Sequence, residues 1–250
     1  MKNNPLAGFR HSLSGLSLIF QPRLRRFVIV PVLINIMVFS LLIWGGSELF
    51  ADLMERLLPA DSWLSYLEWL LWPLFALTAV LVVFYTFTVI ANLIAAPFNG
   101  LLAEKVEMIL NGKEIDQASD WKQLLKDFLP SLYSEIKKLL YFVLRAVPLL
   151  ILFLIPGVNI AAPFLWLAFN AWYLALEYTD YPMGNHGILF REQHTRLKRM
   201  RLNALGFGAG LLLLMAIPGV NFLAMPAGVA GATALWTKEL ADGQEAIENS

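Results

Sequence analysis

Polar and apolar positions alternate along this chain in long blocks, and the first block boundary is the sharpest. Arg23, Arg25 and Arg26 crowd into four positions, and Phe27 to Ser47 then runs 21 residues without a charge. About 20 apolar residues at a 1.5 Å rise cross a hydrocarbon core of roughly 30 Å, so the pattern predicts a transmembrane helix with a basic mouth. Ahead of it, Leu6, Phe9, Leu13, Leu16 and Phe20 recur at three- and four-residue steps. That spacing predicts an amphipathic helix, lying in the membrane interface or packed on other protein. Residues 48–68 form a polar connection with five acids and one base, Arg56. The aromatic run Trp63, Tyr66, Trp69, Trp72 marks the return to the bilayer. Trp69 to Ala103 is again uncharged, 35 residues, long enough that a second helix must tilt, break or project.

From 104 to 145 the pattern turns amphipathic, interrupted at Pro130. Helices on the cytoplasmic face are predicted, with Lys122, Lys126, Lys137 and Lys138 on a solvated or headgroup side. Two apolar segments follow, 146–176 and 202–237, and both carry Ile-Pro-Gly-Val-Asn, at Ile155–Asn159 and Ile217–Asn221. The arms before these breaks, 10 and 16 residues, are shorter than a full crossing. A Pro-Gly break is a reversal signal, and re-entrant hairpins fit best, with Asn159 and Asn221 placed to cap the turns. Two hairpins that each cross twice remain the alternative. Re-entrance keeps the basic linker 177–201 inside, so that 18 of the 19 Lys and Arg lie on one side and only Arg56 does not. Residues 238–250 are polar and predicted to be disordered.

Composition agrees with lipid as the solvent. The chain is 58% hydrophobic and 15% charged, where a soluble domain carries about 25% charged residues. The expected fold class is therefore an all-α integral membrane protein. It has two long transmembrane helices within 27–103, two re-entrant hairpins, amphipathic cytoplasmic helices and an interfacial segment at 1–26. No cleaved signal peptide is expected, and the first membrane segment acts as its own signal. Net charge is zero and no nucleic-acid partner is expected. The absence of cysteine excludes disulfides and thiolate metal sites. The three histidines make no metal-ligand spacing, so neither metal nor cofactor is expected. No phosphate loop, serine elbow or carboxylate pair stands out, and an enzyme is disfavoured.

Two constellations carry candidate chemistry. Arg23, Leu24, Arg25 and Arg26 open a helix, where unfilled backbone N–H groups and guanidinium forks together suit a tetrahedral oxyanion. The same cluster also reads as an orientation anchor. Arg25 and Arg26 diverge by about 100° on a regular helix, so convergence on one anion requires an irregular first turn. Asn35, Asn92 and Asn99, with Thr88, are polar positions within the two spans. They read as interhelical hydrogen-bonding groups or as the lining of a permeation path.

Several ordered stretches resemble the CysZ family of bacterial sulfate permeases from about Pro5 to Trp236. They are Gln21-Pro22-x-x-Arg25-Arg26-Phe27, Ala95 to Glu104, Ile155-Pro156-Gly157, Asp180-Tyr181-Pro182 with Asn185-His186, and Gly231 to Trp236. The resemblance implies sulfate uptake across the bacterial inner membrane for cysteine biosynthesis, by permease or channel-like flux and with proton dependence ascribed to the family. It also implies two spanning helices, two hemi-penetrating hairpins and a homo-oligomer. The family's sulfate motif, Gly-Leu-Arg followed by arginine, falls on Arg23 to Arg26, with Arg23 standing where the family has glycine. Glu68, Glu104, Glu177 and Asp180 are candidates for proton coupling. The competing reading is a non-transporting membrane scaffold that acts on lipid or a partner protein.

Overall fold

The computed structural model describes residues 3–57, 73–74, 76–78, 80–81, 98–113 and 121–240. Among them the regular structure is helical throughout: α1 (Pro5–Ile19), α2 (Arg25–Leu57), α3 (98–110), α4 (Trp121–Leu152), α5 (Ala162–Asn185), α6 (Phe190–Arg199), α7 (Arg201–Ala216) and α8 (Asn221–Leu235). Two compact units divide the chain, one formed by residues 1–28 and 97–250 and the other by 29–96.

In the second unit, α2 carries its apolar run outward: Leu33, Ile36, Met37, Leu41 and Trp44 are all exposed. Arg25–Gly46 is long and apolar enough to cross a bilayer. Pro31 sits inside α2 without ending it, and the polar residues 48–57, expected in a connection, continue the helix to Leu57. Pro31 lies beyond the first turn, so it has no N–H to give the Phe27 carbonyl and one ladder bond of α2 is lost there. The expected return span at 69–103 lies mostly outside the described residues.

The first unit is built on small residues. Gly8, Ser12 and Gly15 of α1 are buried, while Leu6, Leu13 and Phe20 face outward. Part of the apolar stripe that suggested an interfacial helix thus lies on the outer face, while Phe9 and Leu16 are half-buried, and α1 packs on α7 and α8. Closeness demands glycine here. A Cβ on Gly8 would collide with the Asn203 carbonyl, one on Gly206 with the Pro5 carbonyl, and one on Gly15 with the Ala227 carbonyl. With no methyls between them the backbones approach to direct contact, the packing that replaces hydrophobic burial where the surroundings are themselves apolar. The ends are stitched as well. Asn3 Oδ1 accepts from the Leu202 and Asn203 N–H groups at 2.8 and 3.2 Å, and Asn203 Oδ1 accepts from the Asn4 N–H at 2.5 Å. Asn4 in turn caps α1 through the Leu6 N–H at 3.0 Å.

Both Ile-Pro-Gly-Val-Asn sequences make the same reversal. Gly157 and Gly219 each take φ +84°, a region that side chains disfavour. The Asn159 N–H reaches the Ile155 carbonyl at 3.0 Å, and the Asn221 N–H reaches the Ile217 carbonyl at 3.1 Å. Backbone groups close the turns; the asparagine side chains make no cap there, contrary to the sequence expectation. Proline cannot donate, so the following residues supply the bond. The tips present large apolar groups outward, Leu154 at 81% exposure and Phe222 at 84%. On either side of the second tip, α7 and α8 are 16 and 15 residues long, about 24 and 22 Å.

Two further boundaries move. α4 runs unbroken through Pro130 and Pro148, so the amphipathic segment and the first hairpin arm are one helix of 32 residues. At the other end, Trp236–Leu240 forms a π-helical turn and Leu240 is buried, so order extends into the tail expected to begin at 238.

Candidate functional site

The arginine mouth lies on a tight turn between α1 and α2. The Leu24 and Arg25 N–H groups both donate to the Gln21 carbonyl, at 2.9 and 3.2 Å, and the Phe27 N–H donates to the Leu24 carbonyl at 3.0 Å. Leu24 is fully buried, and Phe27 and Val28 join it in the core, so this side of the turn is fixed by burial. Arg23, Arg25 and Arg26 take the other side and are exposed. Arg25 Nε donates to the Phe20 carbonyl at 2.9 Å, and the Arg26 guanidinium lies over the Phe27 ring at 4.7 Å. The Leu24 N–H is engaged by Gln21, and the charged donors on the exposed side of the turn are the guanidinium groups. The adjacent Arg25 and Arg26 rest on different local partners, as two residues about 100° apart must.

Of the proposed path residues, Asn92 and the side chain of Asn35 lie outside the described residues. Asn99 is buried in α3, and its Nδ2 has no acceptor among the described residues. Around it three of the sequence motifs come together. Asn185 Nδ2 donates to the Gly100 carbonyl at 2.9 Å, and His186 Nε2 meets the Glu107 carboxylate at 2.9 and 3.0 Å. The His186 ring lies 5.4 Å from Trp236, and Arg196 stacks over the same indole at 5.6 Å while pairing with Glu192. Trp236 is itself buried, and its Nε1 has no acceptor among the described residues. Segments far apart in sequence thus meet at the ends of α3 and α5 and in the π-helical turn.

Lys138 was expected on a solvated face; it is buried instead, with its side chain 1% exposed. Its Nζ lies 3.0 Å from Asp180 Oδ2 and 3.4 Å from Glu177 Oε2. Gln193 Nε2 donates to Asp180 Oδ1 at 2.6 Å and to the Ile188 carbonyl at 2.8 Å. One turn along α4, Tyr141 Oη accepts from Trp172 Nε1 at 3.0 Å and sits 3.2 Å from His194 Nε2. Arg145 covers the Tyr141 ring at 3.8 Å. Burial lowers the His194 pKa below 6.5, with Lys198 and Arg145 adding to the effect, which favours the neutral imidazole beside Tyr141 Oη. In α1, burial likewise lowers His11, against the opposing attraction of Glu239.

Reading the sequence missed Lys138 through an assumption about solvent. On α4 the apolar Leu139, Leu140, Val143, Leu144 and Val147 are exposed, whereas Lys138 and Ala146 are buried. Water outside would reverse that order. The signal was present as a lysine opposite a continuous leucine-valine face, but its sign depends on what surrounds the helix.

Residues 12–226 match the family described as Sulfate transporter CysZ/Etoposide-induced protein 2.4. Over 243 residues the chain is 42% identical to a Pseudomonas aeruginosa protein named Sulfate transporter CysZ, covering 97% of this chain and 98% of that one. A Pseudomonas fluorescens protein of the same name is 45% identical over 235 residues, 94% of each chain. A third, from Vibrio atlanticus, is 40% identical over 248 residues, 95% of each.

Proposed function

The chain belongs to the Sulfate transporter CysZ/Etoposide-induced protein 2.4 family, and from that premise we propose that it carries sulfate across the bacterial inner membrane to supply cysteine biosynthesis. The observation that carries the reading is the inverted burial of α1 and α4. Leu6 and Leu13 of α1 and Leu139, Leu140, Val143, Leu144 and Val147 of α4 point outward, while Gly8, Ser12, Gly15 and Lys138 point in; among the described residues only the end of α1, at Leu18 and Ile19, buries large apolar side chains. Such a distribution is stable when lipid or another apolar surface surrounds the helices, and it leaves the interior free for polar groups.

Arg23, Arg25 and Arg26 form the anion mouth. A dianion has a high hydration cost, and three exposed guanidinium groups held by a buried Leu24 can repay it with charge-assisted bonds. Arg25 spends its Nε on the Phe20 carbonyl, which leaves its Nη groups to meet the anion. Sulfate then follows Asn35, Asn92 and Asn99. Asn99 Nδ2, which has no acceptor among the described residues, is a donor suited to an anion in transit. Membrane insertion follows the sequence reading. α2 spans, both hairpins are re-entrant, and the N-terminus and the linker 177–201 are cytoplasmic. Two spans are too few to enclose a pore, so the working unit is a homo-oligomer in lipid.

Purified protein in liposomes tests this directly. Labelled sulfate should enter, with chloride competing poorly. Flux no greater than in empty liposomes would favour a scaffold that acts on lipid or a partner through its exposed apolar hairpin tips.

A further inference from the structure

The Tyr141 phenol is the hub of a frame that the arginine mouth and the asparagine path do not use. It accepts from Trp172 Nε1 of α5 at 3.0 Å and lies 3.2 Å from His194 Nε2 of α6, and the Phe190 ring meets it edge-on at 5.5 Å. Three helices are tied at this point, and two of them carry a cation four residues further on. Arg145 follows Tyr141 on α4, and Lys198 follows His194 on α6. Residues four apart share a helix face. Both cations therefore belong to the faces that meet at the frame, and the charge of each is felt at His194.

The protein satisfies neither of them. The Arg145 guanidinium rests on the Tyr141 ring at 3.8 Å, and neither Arg145 nor the Lys198 ammonium makes a hydrogen bond or ion pair among the described residues. Arg196, on the same helix as Lys198, does pair with its local acid Glu192. Both unpaired cations are exposed. In water that would need no explanation, but the exposed neighbours of Arg145 on α4 are Leu144, Val147, Leu150 and Ile151. A cation on such a face is costly beside lipid unless an anion accompanies it. Depth points the same way. Ile155, at the first reversal, is ten positions beyond Arg145, and Ala162, where α5 begins, is ten before Trp172. Ten helical residues rise about 15 Å, half of a hydrocarbon core of roughly 30 Å. A tip at the bilayer middle thus sets Arg145 and Trp172 at the headgroup boundary, where indoles concentrate and long cationic side chains reach for phosphate.

We propose that Arg145 and Lys198 bind the phosphate of an anionic phospholipid, whose acyl chains lie along the exposed apolar face of α4. Arginine offers a planar fork to the phosphate oxygens and lysine a point charge, while the Tyr141 frame holds α4 and α6 together beneath them. The site rests on the re-entrant reading of the first hairpin and is independent of sulfate transport.

Lipid titration of the full chain in detergent, read by native mass spectrometry, tests it. Phosphatidylglycerol should bind the parent more tightly than phosphatidylcholine does. Arg145→Gln combined with Lys198→Gln should weaken phosphatidylglycerol about thirtyfold, because each cation at an anionic surface contributes about fivefold. Phosphatidylcholine binding should not change. Lys198→Gln alone, a milder variant, should cost about fivefold. Arg191→Gln and Arg199→Gln, in the same basic linker, should each cost less than about twofold. An effect there equal to that of Lys198→Gln would mean diffuse attraction and overturn the proposal, as would equal affinities in the parent and the double variant. Displacement of the lipid by free sulfate would assign the cations to a soluble oxyanion, and altered elution of the double variant would make this face a contact between copies. Either result defeats the lipid site. The hairpin is read separately. Ile160→Cys, exposed near the tip, takes a spin label uniquely in a chain without cysteine. In phosphatidylglycerol vesicles that label should meet oxygen more readily than aqueous nickel. A label open to nickel defeats the hairpin depth and the site with it, whereas a deep label without lipid preference defeats the site alone.

Discussion

At the scale of single residues, the buried and exposed sides of the arginine turn do different work. Leu24 is in the core and Arg23, Arg25 and Arg26 are outside it, so charge can be removed without disturbing the anchor. Arg25→Ala combined with Arg26→Ala should abolish sulfate binding by calorimetry while leaving the elution profile unchanged. Undiminished affinity would show that the arginines only orient the chain. Glycines in the helix crossings make the opposite kind of test. A Cβ on Gly208 would overlap the Ala171 carbonyl and force α5 and α7 apart. Overpacking of this sort costs about 1–3 kcal/mol. Gly208→Ala should therefore lower the melting temperature in detergent by several degrees without altering the arginine mouth.

Elements obey the same logic one level up. Each hairpin turns on a glycine at φ +84°, where a side chain costs about 1–3 kcal/mol. Gly157→Val and Gly219→Val should destabilise the protein comparably, because the two reversals share one backbone bond pattern. Helix α6 carries an imidazole whose burial disfavours its charged form. His194 is held below 6.5 by burial and by the nearby Lys198 and Arg145, so a state with α6 undocked binds the proton more readily. The stabilising contribution is thus present above about pH 6.5 and is lost as pH falls through the lowered value. Carbon-detected histidine titration should place the His194 midpoint below 6.5. Amide exchange in α6 should quicken on acidification from pH 7 to 5. A midpoint at or above 6.5 would contradict the effect of burial on this imidazole.

For the whole molecule, the question is which side of the membrane each segment faces. With no native cysteine, Asn3→Cys and Thr195→Cys can be labelled individually in vesicles of known orientation. Re-entrant hairpins put both on one side. Labelling from opposite sides would mean that 146–176 crosses completely. The tips should also behave as lipid-buried points: a tryptophan at Phe222, now outward and apolar, should be quenched by brominated acyl chains and not by aqueous iodide.

The sequence by itself determined the helical class, the apolar blocks, both Pro-Gly reversals and the position of the arginine mouth. Those features follow from local chemistry: run length, missing charge, proline's lost donor and glycine's access to positive φ. It could not determine which face of an amphipathic helix points inward, because periodicity marks two faces without naming the solvent. The inward glycines of α1 and the buried Lys138 of α4 were therefore settled only by packing. The meeting of Gly100 with Asn185, and of His186 with Trp236, needed the tertiary structure for a related reason. Contacts between residues tens of positions apart are fixed by how close two backbones can come, and that distance is set by side chains on both partners at once.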